Sequence, residues 1–152
     1  MLRTIANVLI VPSAVLVLGL PADTGAAVRA ASTESQASSS RGLYSKAQSD
    51  RGKAAYGLNC AACHGNDLTG DPAMQSPSLA GDDFLKSWTA KSVDDLFDKI
   101  RTTMPANSPG SVPEDQVTDL IAYILDTNKF PAGDTDLKPN RETLKTLMIT
   151  RP

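Results

Sequence analysis

Cys60-Ala61-Ala62-Cys63-His64 carries most of the information in this 152-residue chain. Two cysteines three residues apart near the end of a helix lie on the same side of it. Their sulfurs can therefore reach two points on one flat partner, and the next residue, His64, can turn its ring toward that partner's centre. C-x-x-C-H is the attachment pattern for a c-type haem, bound through Cys60 and Cys63 with His64 as the proximal iron ligand. His64 is the only histidine in the chain. Two other uses of the same residues stay open. The cysteines could close a tight disulfide, a bond that is often redox-active. A thioredoxin-like site, however, wants a βαβ setting, and no alternating strand pattern is evident. A structural zinc needs four ligands, and only Cys60, Cys63 and His64 are at hand, two of them adjacent.

Upstream, Arg3 is followed by an almost wholly apolar run from Asn7 to Leu20, then Pro21 and small residues from Thr24 to Ala31. That order reads as a signal peptide over 1–30, with Ala27 and Ala30 both suited to cleavage. The run is shorter than the roughly 20 residues a membrane-spanning helix needs, and Pro12 interrupts it. An uncleaved anchor is the competing reading, and only then is stable membrane insertion expected. Neither cysteine lies near the leader, which argues against a lipid anchor. Export implies an oxidising compartment, the bacterial periplasm.

Residues 31–44 read as a flexible Ser-rich linker with too little apolar surface to order itself. The chain carries 15 Lys or Arg against 17 Asp or Glu, net −2, with a pI near 5.3. With Arg3, Arg29 and Asp23 in the leader, the remainder holds 13 and 16, about −3. This balance excludes nucleic acid as a partner.

The domain, 45–130, reads as all-α, with three helix starts in capping-box form: Ser45 with Gln48, Ser92 with Asp95, and Ser111 with Glu114 behind Pro113. The first helix, about 46–60, has a weak inner face of Ala47, Gly52, Ala55, Tyr56 and Asn59. Gly52 in a helix interior suggests close backbone approach. The second has Val93, Leu96, Phe97 and Ile100 on one side. The third has Val117, Leu120, Ile121, Ile124 and Leu125. The connection 64–91, with Gly65, Gly70, Pro72, Pro77 and Gly81, reads as a long loop wrapped around something. The extension 131–152 offers Leu137, Leu144, Leu147, Met148 and Ile149, to pack back or to dock a partner. So thin a core calls for a staple, which a haem would supply.

Electron carriers often place Met opposite His on haem iron. Met74, Met104 and Met148 are the candidates. Met104 precedes Pro105 between two helices, where a turn can hold its side chain rigidly; Met74 lies only ten residues beyond His64, and Met148 is in the tail.

From about Ser45 to Asn128 the chain resembles the class I cytochrome c family. The matching pieces are Gly52 and Tyr56, C60AACHG65, P77SLAG81, Trp88, M104P105 and L120IAYIL125, in the family's order. The resemblance implies three main helices and long loops around one covalent haem c, with iron held by His64 and Met104. It implies that Gly52 and Tyr56 cross against Leu120 and Tyr123, and that the Pro77 carbonyl accepts a hydrogen bond from His64. It places Trp88 and Arg101 near the haem propionates. The function it implies is one-electron transfer between redox proteins: a dehydrogenase, oxidase or reductase. A dedicated electron-accepting subunit of a periplasmic dehydrogenase, of quinoprotein type for instance, and an open-site haem sensor or enzyme are the alternatives. The chain lacks the lysine-rich face of the mitochondrial type; Asp94, Asp95 and Asp98 could present an acidic patch instead.

Overall fold

The computed structural model describes residues 42–152. The expected leader and most of the expected linker lie outside the described residues. Among the described residues six α-helices follow in order: α1 Lys46–Asn59, α2 Ala61–His64, α3 Gly81–Trp88, α4 Val93–Thr103, α5 Glu114–Thr127 and α6 Arg141–Thr146, with a 3-10 turn at Pro72–Met74. Among the described residues there is no β-strand, and strand-like pairing is confined to isolated bridges such as Ser45 with Gly133 and Ser92 with Met148. No helix among the described residues is long and apolar enough to cross a membrane.

The frame of the fold is the crossing of α1 on α5. Gly52 makes it possible. A Cβ at that position would lie 1.8 Å from the Asp119 carbonyl oxygen and 2.9 Å from the Tyr123 Cβ. The two backbones touch, and only a residue without a side chain fits between them. One turn on, the Tyr56 and Tyr123 rings meet edge to face with centroids 5.4 Å apart, a favoured aromatic geometry. The glycine packs on the Asp119 backbone rather than on Leu120, which faces the core instead. Arg51 clamps the outer edge of the crossing by a two-pronged contact with Asp119 at 3.0 and 3.1 Å, and reaches Asp136 at 2.8 Å.

The stripes expected on α4 and α5 are buried: Val93, Leu96, Phe97 and Ile100 on one, Val117, Leu120, Ile121, Ile124 and Leu125 on the other. The Ser92–Asp95 capping box is complete in both directions. Elsewhere local readings need correcting. On α1, Ala47 is exposed, and Gln48 and Ser49 take the inner face. Gln48 is not a capping-box partner. Its amide pairs with the Leu137 backbone at 2.7 and 2.9 Å, so only the Ser45 half of the box forms. Ser111 does not cap α5, which begins at Glu114 with Pro113 as its N-cap residue. The 64–91 connection is not all loop, because α3 lies within it.

The C-terminal segment packs back on the domain. Leu144 and Ile149 are fully buried, and Leu147 and Ile149 exchange backbone hydrogen bonds with residues 90–93. Arg141 pairs with the buried Asp94 and with Asp98, fastening α6 to α4. The carboxylates expected to present an acidic docking patch are thus engaged internally, Asp95 in the capping box and the other two by Arg141. At the other end Tyr44 is fully buried, its hydroxyl donating to the Phe130 carbonyl at 2.7 Å, so the order of the core begins before Ser45.

Candidate haem-attachment site

A single helical turn presents the motif. The Cys60 N–H closes α1 on the Tyr56 carbonyl at 2.9 Å, and the Cys63 and His64 N–H groups both donate to the Cys60 carbonyl, at 3.1 and 2.9 Å. Gly65, at φ 76°, ends the turn. The Tyr56 hydroxyl holds the Gly65 carbonyl at 2.7 Å, tying the end of the motif to the helix crossing. Cys60 and Cys63 are free and half-buried, while His64 is 8% exposed.

The imidazole orientation is fixed from behind. His64 Nδ1 lies 2.9 Å from the Pro77 carbonyl oxygen, the contact the family resemblance implies. A carbonyl only accepts, so Nδ1 carries the proton and Nε2 keeps its lone pair free for a metal. Such a bond also raises the basicity of the ligating nitrogen. The segment carrying Pro77 is itself held: Leu79 N–H donates to the Leu68 carbonyl at 2.8 Å, and Ser78 Oγ lies 2.8 Å from the Ala80 carbonyl and 3.2 Å from that of Leu68, with one proton to donate between them. Gly70 is required beneath it, since a Cβ there would sit 2.4 Å from the Ser76 oxygen.

Met104 is the residue that ends α4, its N–H donating to the Ile100 carbonyl at 3.0 Å. Together with Cys60, Leu79, Leu85 and Trp88 it is a partly buried apolar residue packed against the core. Arg101, one turn earlier, donates through Nη1 to the Gly110 carbonyl at 2.7 Å, bracing the loop after Met104. Its Nε is buried without a partner. Trp88 packs on Phe84 and carries the Lys91 ammonium 4.7 Å above its ring. It borders a groove of about 470 Å³ with Asp95, Asp98, Lys99, Thr102 and Thr103, a groove that touches none of Cys60, Cys63, His64 and Met104. Met74 and Met148 are both exposed.

The donor set fits a haem. Two unbridged thiols and one imidazole with a free Nε2 stand on one turn, a thioether ends α4, and a buried guanidinium N–H lacks an acceptor of the kind a propionate offers. The competing uses fit less well. Burial, with the Cys63 thiol adding to it, pushes the Cys60 thiol up to about 11, whereas thiol exchange needs a lowered value. Among the described residues no three His, Cys, Asp or Glu side chains gather as a metal cluster.

An all-helical fold with a C-x-x-C-H turn beside a glycine-mediated helix crossing defines a class I c-type cytochrome. The chain belongs to the family described as cytochrome c oxidase, cbb3-type, subunit III, whose model matches residues 47–124, a little over half its length. Membership implies a covalently bound haem c with its iron, and a role in electron transfer. Among solved structures the chain is similar to that titled sulfane dehydrogenase SoxCD from Paracoccus pantotrophus. Identity is 20% and the TM-score 0.52, over 75% of this chain and 64% of that one, a likeness of fold. No curated protein matches the chain.

Two contributors to the site were not found in the sequence reading: the Tyr56 hydroxyl on Gly65, and the Asn128 side chain, whose contacts reach the Pro77 segment from the end of α5. Tyr56 had a signal, a polar-tipped aromatic four residues before Cys60. Asn128 had none, since its partners lie 47 and 49 residues away.

Proposed function

We propose that this protein is an exported one-electron carrier of the periplasm, whose haem would be attached through Cys60 and Cys63 and its iron held by His64 and Met104. When bound, that group supplies one-electron chemistry through the ferric and ferrous states of its iron. The observation that carries the reading is the 2.9 Å bond between His64 and Pro77 beside two free cysteines. It selects the Nε2-coordinating tautomer and holds the ring still, so little reorganisation accompanies a change of charge. Met104 would supply the second iron ligand, and with both protein ligands in place no position would be left for substrate. Arg101, whose buried Nε–H has no partner, would pair with a propionate, and Trp88 would lie near it. Partners dock through a small, transient interface.

A second reading makes the protein a dedicated electron-accepting subunit of a larger oxidoreductase. Its support is that the matching family is described as an oxidase subunit and the similar structure as a sulfane dehydrogenase. The tail gives it less support, because Leu144 and Ile149 are spent on the protein's own core. Purification from the native periplasm separates the two readings. A lone monomer that exchanges electrons reversibly with several soluble redox proteins supports the carrier, and stable co-purification with one enzyme supports the subunit. Cys60→Ser and Cys63→Ser together must abolish the haem retained under denaturing conditions; retention would overturn both.

A further inference from the structure

Asn128 closes α5, is buried, and has both ends of its amide in use. Nδ2 donates to the Leu79 carbonyl at 2.9 Å and to the Ile124 carbonyl at 2.8 Å, and Oδ1 accepts from the Gly81 N–H at 2.8 Å. The side chain thus pairs with residues 79 and 81 much as a neighbouring strand would, while its third bond fixes it to α5. Residues 77–81 lie near the surface: Pro77 and Gly81 are exposed, and Ser78, Leu79 and Ala80 are partly buried, with Leu79 and Ala80 packed against the core. Apart from the Pro77 carbonyl on His64, their other hydrogen bonds, from Leu79 N–H and at Ser78 Oγ, stay within the same loop. Asn128 is the side chain that hydrogen-bonds this segment to the end of α5.

We propose that Asn128 is a positioning residue for the proximal ligand. By holding residues 79 and 81 it keeps the Pro77 carbonyl on His64 Nδ1–H, and so sets how strongly His64 donates to iron. The proposal rests on the reading of His64 as the proximal ligand. Its direction follows from charge. A well-placed carbonyl draws the Nδ1 proton away and makes the imidazole a stronger donor, which favours the ferric state. Loosening the segment weakens that donation and favours the ferrous state.

The test uses full-length protein matured in the periplasm. Asn128→Ala removes all three bonds, and Asn128→Asp keeps the acceptor for Gly81 but loses the donors. Leu144→Ala is the control, a buried tail residue away from the segment. Two quantities are read: the midpoint potential, and the hydrogen-exchange rate of His64 Nδ1–H by NMR in the diamagnetic ferrous state. Asn128→Ala is expected to exchange that proton about tenfold faster and to raise the ferrous-to-ferric ratio at fixed ambient potential about threefold. Asn128→Asp should lie between it and the wild type. Leu144→Ala should lower the melting temperature and move neither. Asn128 variants that lose stability yet keep the wild-type potential and exchange rate overturn the proposal. So does a Leu144→Ala protein that shifts both equally. Failure of the wild type to retain haem strikes the haem reading itself, a distinguishable result. If Asn128→Ala does not mature, Asn128→Asp carries the same test.

Discussion

Replacing Gly52 by Ala tests the helix crossing on which the site is built. The added methyl would stand 1.8 Å from the Asp119 carbonyl oxygen, where real contacts stay beyond 3.0 Å. The shortfall is about 1.2 Å, and the atom in the way is backbone, so α1 and α5 must part. Overpacking of this kind costs roughly 1–3 kcal/mol and on occasion more. Helix propensity runs the other way, favouring Ala by up to about 1 kcal/mol. The steric effect wins, leaving a loss of about 1–2 kcal/mol, which for a domain of this size lowers the melting temperature by about 5–10 °C. Gly57 supplies the internal comparison: it lies on the same helix with nothing within 4 Å of its would-be Cβ. Gly57→Ala should therefore stabilise by about 0.5–1 kcal/mol. Thermal unfolding followed by circular dichroism reads both. A Gly52→Ala protein that melts at or above the wild type, alongside Gly57→Ala, would refute the close crossing.

Other expectations follow from single contacts. Arg141→Ala leaves the buried Asp94 carboxylate without its guanidinium; about 1–3 kcal/mol should be lost, with faster proteolysis of the tail. Tyr56→Phe removes the bond to Gly65 and should cost about 1 kcal/mol in denaturant titration. Burial pushes the Asp126 carboxyl up, but hydrogen bonds from Ser49, Lys46 and Tyr44 outweigh it and hold it below the usual range. A depressed folded value contributes stability above the unfolded pKa of about 4 and loses it as pH falls through the folded value. The guanidinium midpoint should thus fall below about pH 4, and fall less in Asp126→Asn.

The parts of the fold that the sequence displays are those written within one turn of helix. The C-x-x-C-H turn, the Ser92–Asp95 box and the apolar stripes of α4 and α5 all depend on residues three or four apart. What it hides is decided across distance. Gln48 fits a capping box as well as Ser45 does, but Leu137, 89 residues on, takes its amide. Ser111 and Glu114 match the same pattern, yet Pro113 stands as the residue before the helix, leaving Ser111 outside it. Helix α3 had local signals, Asp82 and Asp83 in its first turn and Phe84, Leu85 and Trp88 on one side, which the surrounding Gly and Pro outweighed. Asp94 and Asp98 read as an acidic patch because their partner, Arg141, lies more than 40 residues downstream. At the site, the Cys60–His64 turn and its bond to Pro77 were legible. The tie from Asn128 to Leu79 and Gly81 was not.

The most direct test of the account is the optical spectrum of the periplasmically matured protein, oxidised and reduced, with and without carbon monoxide. Ligation by His64 and Met104 predicts a low-spin spectrum, a Met-to-iron charge-transfer band that Met104→Ala abolishes, and no response to carbon monoxide. A high-spin or carbon-monoxide-binding wild type, or a band that survives Met104→Ala, would contradict it.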